Sequence, residues 1–188
     1  ETELPLAFKN RVPMIRVRLR SAALLHKTEG FGDNFLQVAM QQEISSLMGD
    51  EYVEGVWGAL KKPLLEYGVI LLDGLDEVPE NDGERGMRID MLDAIDELVS
   101  QLGDQARLII TSRPYVFEGE HTRNWLNVFP CLELQDMSNS QVEQFIAHWY
   151  LLLKANRGHS EEDAKNAAHK LFVELVNREY LLEPARLP

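Results

Sequence analysis

At 188 residues, 45% hydrophobic and 27% charged, the chain is long enough to bury one sizeable core and has the balance of an ordinary globular protein. Its formal net charge of −12, from 31 acids and 19 bases, argues against a general nucleic-acid-binding surface. No apolar run nears the roughly 20 residues that cross a bilayer, no signal-peptide pattern opens the chain, and the single cysteine, Cys131, excludes an intrachain disulfide.

The acidity is uneven. Residues 1–30 carry Lys9, Arg11, Arg16, Arg18, Arg20 and Lys27 against Glu1, Glu3 and Glu29, so the excess of acids lies beyond them. The lone cysteine and the lack of any Asn-x-Ser/Thr sequon fit a reducing cytoplasm, the expected location. The chain opens on Glu1 and closes on Pro188 with no terminating element, and it is expected to be a piece of something larger.

In chain order, Val12 to Arg20 alternates strictly, with Ile15, Val17 and Leu19 on one face and Arg16, Arg18 and Arg20 on the other. That pattern predicts a half-buried strand, and Pro13 and the arginines suit an edge position with a solvated basic face. Asp33 is placed to cap a helix over 34–48, whose stripe is Phe35, Leu36, Val38, Ala39, Ile44 and Leu47. A second helical stretch over about 51–61 is expected to stop at Pro63. Val69 to Asp73 reads as a short strand buried on both faces. After an acidic, glycine-containing loop (79–86), residues 87–102 form an amphipathic helix with Met91, Leu92, Ile95, Leu98 and Val99 inward.

Arg107 to Thr111 and Phe129 to Leu134 read as two further buried strands. Ser138 with Gln141 makes a capping box ahead of Val142, Phe145, Ile146 and Trp149. Ser160 opens another helix, to about Val176, with Leu171, Phe172 and Leu175 inward. Strand–helix alternation over 12–134 predicts an α/β fold with a parallel sheet flanked by helices, and the rest a small helical region.

Two strand ends carry chemistry. Val69-Ile70-Leu71-Leu72 runs into Asp73-Gly74-Leu75-Asp76-Glu77, three carboxylates close enough to repel one another unless a cation or a polarised water is held there. The Arg107–Ile110 run ends in Thr111-Ser112-Arg113-Pro114, two hydroxyls and a guanidinium. Parallel neighbours end on one edge of a sheet, where ligands of open α/β sheets sit. Carboxylates for Mg²⁺ and a guanidinium for phosphate are complementary needs of phosphoryl transfer. Taken singly, an acidic cluster is commonly a solvated turn and such an arginine a surface ion pair. Their joint occurrence, each after an apolar strand and one helix apart, favours the functional reading.

Residues 68–114 resemble the Walker B and sensor 1 segments of the NACHT family of STAND P-loop NTPases. Val69 to Glu77 matches that family's four apolar residues, Asp, small, apolar, Asp-Glu; Thr111 to Pro114 matches its Thr-Ser-Arg-Pro. More loosely, Val12–Arg20 is similar to its second strand, and Leu134–Tyr150 to the strand and helix entering its helical domain. The resemblance implies a P-loop NTPase-like sheet lacking the P-loop strand over 1–135, and the start of the lid domain over 136–188. It implies Mg²⁺ and ATP or ADP as cofactors, with Asp73 holding the metal through water, Asp76 and Glu77 polarising or positioning the attacking water, Thr111 and Arg113 at the nucleotide, and Pro184 against adenine.

No G-x-x-x-x-G-K-[ST] occurs, since none of the twelve glycines precedes a lysine. By the resemblance that element falls upstream of Glu1 and a winged-helix domain falls after Pro188, so the fragment alone is expected to bind ATP poorly, to be inactive and to aggregate. The parent is implied to be a slow ATPase that serves as a signalling switch. Its partners would be nucleotide, its own P-loop segment, winged-helix, sensor and effector domains, and further copies of itself when activated, with no membrane and no nucleic acid. The competing readings are a non-catalytic scaffold that keeps the fold, and another kind of P-loop ATPase. Trp149 and Tyr150 are expected in a helix core, His148 in a structural role, and Cys131 as a small buried hydrophobe.

Overall fold

A computed structural model describes residues 11–29, 34–80, 86–118, 125, 129–157 and 160–187. The alternating segment forms β1 (Met14–Arg18), which burial of Ile15 and Val17 turns into a one-sided strand. It pairs in parallel with β2 (Val69–Asp73), and β2 with β3 (Arg107–Ile110), in the order β1-β2-β3. The register sets Ile15 beside Ile70 beside Leu108, and Val17 beside Leu72 beside Ile110. These six side chains line the core face of the sheet, and complete burial of Ile70 and Leu72 contributes on the order of 2 kcal/mol each. β1 is an edge strand, as its proline and arginines suggest; the Pro13 carbonyl still accepts the Val69 N–H at 2.9 Å.

β2 is central but buried on one face only, contrary to the expectation for its apolar run. Val69, Leu71 and Asp73 alternate with the core residues and are half-buried, beside Met14 on β1 and Ile109 on β3, which is 51% exposed. β3 is likewise not a buried strand. The helices of this unit contribute their buried residues to the one core on the Ile70–Leu72 side, which leaves the opposite face only partly covered.

The chain passes from β1 directly into α1 (Leu19–Glu29), a helix the alternation did not suggest. Leu19 is fully buried, as expected, but as the first residue of the helix, and Arg20 belongs to the helix. Next, α2 (Phe35–Met48) buries Phe35, Leu36, Ala39, Met40 and Ile44, while Leu47 is exposed. Its N-cap is Asn34, which makes no side-chain capping bond; Asp33, the expected cap, lies outside the described residues.

Pro63 does not end the next helix, α3 (Asp50–Tyr67). The proline forfeits one hydrogen bond and crowds the carbonyl of residue 59, the small Ala59. Beyond it, Leu64 is fully buried and its carbonyl accepts the Gly68 N–H at 3.0 Å, which holds the last turn. α4 (Met87–Ser100) matches its expected stripe, with Met91, Leu92, Ile95 and Leu98 buried.

Two compact units divide the chain, Glu1–Phe129 and Pro130–Pro188, where the sequence suggested a boundary at 135/136. The strand expected over Phe129–Leu134 does not form. Leu132 is 96% and Leu134 80% exposed, and among the described residues β3 pairs with β2 alone, so this segment has neither a ladder nor a buried face that would offset its ordering. Cys131 is exposed too, not buried.

The second unit holds α5 (Asn139–Arg157), α6 (Glu161–Val176) and α7 (Glu179–Arg186), the last not foreseen. The expected capping box forms, with the Ser138 N–H donating to Gln141 Oε1 at 2.8 Å, and the structure adds a second at Ser160, whose Oγ accepts the Asp163 N–H at 3.1 Å. The small core is Val142, Ile146 and Ala168, flanked by Tyr150, Phe172 and Leu175. Phe145 and Trp149, expected inside, are 57% and 54% exposed and lie against each other with ring centroids 6.3 Å apart; Leu171 and His148 are exposed as well. Arg186 returns α7 to the start of α5 through two N–H donors to Asn139 Oδ1, at 3.2 and 2.8 Å.

Candidate functional site

The pairing of Leu72 with Ile110 brings the next residues, Asp73 and Thr111, to one level at the carboxyl edge of the sheet. The Thr111 N–H donates to Leu72 O at 2.9 Å, and its carbonyl accepts the Leu75 N–H at 3.0 Å. Its hydroxyl accepts the Gly74 N–H at 3.0 Å and donates to Asp73 Oδ1 at 2.6 Å. Because an ionised carboxylate can only accept, the hydroxyl's one proton is committed to Asp73 while a lone pair takes the Gly74 N–H.

Gly74 makes this geometry possible. With φ 82° and ψ 56° it occupies the left-handed region, which an L side chain enters at a cost. The chain then tightens into a 3₁₀ turn over Leu75–Glu77, pinned by the fully buried Leu75. The turn splits the three acids. Asp76 is directed to the β3 end, where its Oδ2 lies 3.4 Å from Arg113 Nε and its Oδ1 accepts the Arg113 N–H at 3.4 Å. Glu77 is exposed; its N–H donates to Gly74 O at 3.0 Å, and its carboxylate has no hydrogen-bond or ion-pair partner among the described residues.

Asp73 Oδ2 is taken by a residue of the β1 face expected to be solvated. Arg16 donates to it from Nε at 3.1 Å and from Nη2. The register places Arg18, not Arg16, beside Asp73. Arg18 turns instead to Glu43 at 3.5 Å, and Arg16 reaches diagonally across the strand pair. The only sequence signal was parity: Arg16 and Asp73 lie on the same face once β1 and β2 are in register. The Thr111 hydroxyl, helped by Arg16, holds the Asp73 carboxyl below the usual carboxylate range, with partial desolvation opposing, and Asp73 in turn raises the Arg16 guanidinium.

Asp73, Asp76, Thr111 and Arg113 thus meet at the ends of two parallel strands, with Glu77 beside them. Pro184 belongs to the second unit, where it is exposed within α7. Among the described residues no three His, Cys, Asp or Glu side chains converge as a metal cage. The donor set fits a Mg²⁺ ion held by one carboxylate, water and phosphate, and does not fit an all-protein site. A groove of about 290 Å³ between α1 and α2, lined by Leu24, Leu25, Ala39 and Gln42 among others, includes none of these residues.

Comparison of the chain with protein-family models, curated proteins and solved structures finds no match. No helix among the described residues is long and apolar enough to cross a membrane. The molecule is a mixed α/β protein with an open, three-stranded parallel sheet.

Proposed function

We propose that this chain is part of an ATP-binding and ATP-hydrolysing signal-transduction switch of the NACHT kind, in which nucleotide state governs assembly with further copies and with an effector. One observation carries the reading: two acids and the hydroxyl and guanidinium after the next strand, nominated from separate segments, contact one another as Asp73–Thr111 and Asp76–Arg113. Bound Mg²⁺ would neutralise charge on the transferring phosphate. Asp73 would hold the ion through water, with Thr111 orienting its carboxylate. Asp76 and Glu77 would position the attacking water, and Glu77 is the one with its carboxylate free to do so. Arg113 would exchange Asp76 for a phosphate oxygen, which couples nucleotide state to the β3 end. Pro184 against the adenine rests on the sequence resemblance alone, as do the cytoplasmic location and the winged-helix, sensor and effector partners.

A non-catalytic scaffold is the second reading, and a specific observation favours it: both oxygens of Asp73 already have protein partners. The test is equilibrium binding of MgATP and ADP to the 188-residue chain and to the same chain extended by the residues encoded upstream, roughly 40 for one βα unit. Nucleotide binding by the extended chain, weakened by Arg113→Ala, supports the switch. No binding by either chain supports the scaffold and removes ATP and Mg²⁺ from the account. In the extended chain, Glu77→Gln is expected to keep ATP binding and slow hydrolysis.

A further inference from the structure

We propose that Arg16 is a built-in competitor for the cation position at Asp73: it neutralises the carboxylate when no metal is present and must leave before a divalent ion can bind. The inference rests on the reading of Asp73 as the carboxylate that serves the ion.

The geometry is selective. Both Arg16 donors converge on Oδ2, the oxygen that Thr111 does not use, so the carboxylate has one fixed side and one exchangeable side. The fixed side is locked by the Gly74 N–H behind the hydroxyl. Arg16 also bypasses the register, since Arg18 is the residue beside Asp73 and is engaged with Glu43. Arg16 and Asp73 side chains are 59% and 31% exposed, so water and ions reach the contact. A guanidinium and the water of a hydrated divalent cation compete for the one carboxylate oxygen and the two cations repel each other, so the two states exclude one another. Exposed ion pairs are weak, so Arg16 is displaceable and lowers cation affinity by a modest factor, about two- to fivefold. The device gives a cation-dependent position to a side chain on the edge strand, and so reports occupancy of the site to β1.

The experiment is a titration of the ¹⁵N-labelled 188-residue chain with Mg²⁺ and, separately, Mn²⁺ at constant ionic strength. The Arg16 Nε–H signal and the backbone amides of residues 73–75 and 111–112 are followed. Mg²⁺ is expected to shift the Arg16 signal toward that of a free guanidinium and speed its exchange with water, while Mn²⁺ broadens the 73–75 amides. Arg16→Gln should tighten cation binding about two- to fivefold, Arg16→Lys should fall between it and the parent, and Asp73→Asn should abolish localised broadening. Should Arg16→Gln fail to fold, the Arg16 signal of the unaltered chain and Arg16→Lys decide the matter. Broadening at 73–75 with equal affinity in all Arg16 variants, and an unmoved Arg16 signal, overturns the competition while leaving Asp73 as the cation carboxylate. No localised broadening in any form, or broadening that survives Asp73→Asn, overturns the competition together with the reading of Asp73.

Discussion

Thr111 ties the ends of β2 and β3 together through a single hydroxyl, which accepts the Gly74 N–H at 3.0 Å and donates to Asp73 Oδ1 at 2.6 Å. Backbone bonds from Thr111 to Leu72 and Leu75 frame that hydroxyl, so its direction is set by the sheet itself.

Replacing Thr111 by valine keeps the shape and strips one donor and one acceptor from a partly desolvated network. Thr111→Val is expected to cost about 0.5–1.5 kcal/mol, and Thr111→Ser less than about 0.5 kcal/mol, because only the former removes the hydroxyl that Gly74 N–H and Asp73 Oδ1 share, at a site open to water. Urea unfolding with an unchanged slope and a lowered midpoint checks this; equal midpoints for the two variants would show the hydroxyl to be idle.

Acid should weaken the fold through Asp73. Its folded-state pKa is depressed, by the Thr111 hydrogen bond first and by Arg16 second. A depressed carboxyl contributes stability that is fully present above its unfolded value of about 3.9 and is lost as pH falls through the lower folded value. Asp73→Asn is therefore expected to flatten the loss of stability below about pH 4 and to leave the slope between pH 5 and 7 unchanged. Urea midpoints across that range decide it, and parallel profiles for the two proteins would refute it.

Two glycines should respond in opposite directions. Gly74, at φ 82°, strains any side chain, so Gly74→Ala is expected to destabilise by about 1–2 kcal/mol. Gly55, inside α3, has open space where a Cβ would sit, so Gly55→Ala is expected to stabilise by about 0.5–1 kcal/mol. Thermal melts of the pair provide the measurement, and a loss of stability in Gly55→Ala would mean that α3 carries a contact at that face.

Arg88 is an arginine buried among the core residues of α4. It donates from Nη2 to Val78 O at 2.9 Å, its Nη1 lies 3.7 Å from the exposed Glu80, and its Nε has no partner among the described residues. Arg88→Ala, which strands the Val78 carbonyl, is expected to cost about 1–3 kcal/mol, and Glu80→Gln less than about 0.5 kcal/mol. Denaturant titration of both variants separates the two contributions; a larger loss in Glu80→Gln would reverse the assignment.

Leu72 and Leu132 separate the observed core from the expected one. Leu72 is fully buried, and Leu72→Ala is expected to cost about 2–5 kcal/mol. Leu132 was expected in a buried strand and is 96% exposed, so Leu132→Ala should stay within about 0.5 kcal/mol of the parent. A multi-kilocalorie loss at Leu132 would restore that strand.

The amino-acid order by itself determined what depends on neighbours a few residues away. Alternation at Ile15 and Val17 and the apolar run at Val69–Leu72 set two strands, the 3.6-residue stripe of Met91, Leu92, Ile95 and Leu98 set α4, and the Ser138–Gln141 box and Ser160 set two helix starts. The two strand-end motifs also single out Asp73, Asp76, Thr111 and Arg113 from local sequence alone. What only the tertiary structure decided were matters of partnership across the chain. Leu64 carries α3 past Pro63 by being buried, Leu132 is exposed outside any strand, and Trp149 is exposed while Val142, Ile146 and Ala168 make the small core of its unit. The same holds at the site. Arg16 and Asp73 are 57 residues apart, and nothing local to either one selects the other. Their pairing exists because β1 and β2 align in parallel with a register that puts both side chains on one face, within a guanidinium's reach.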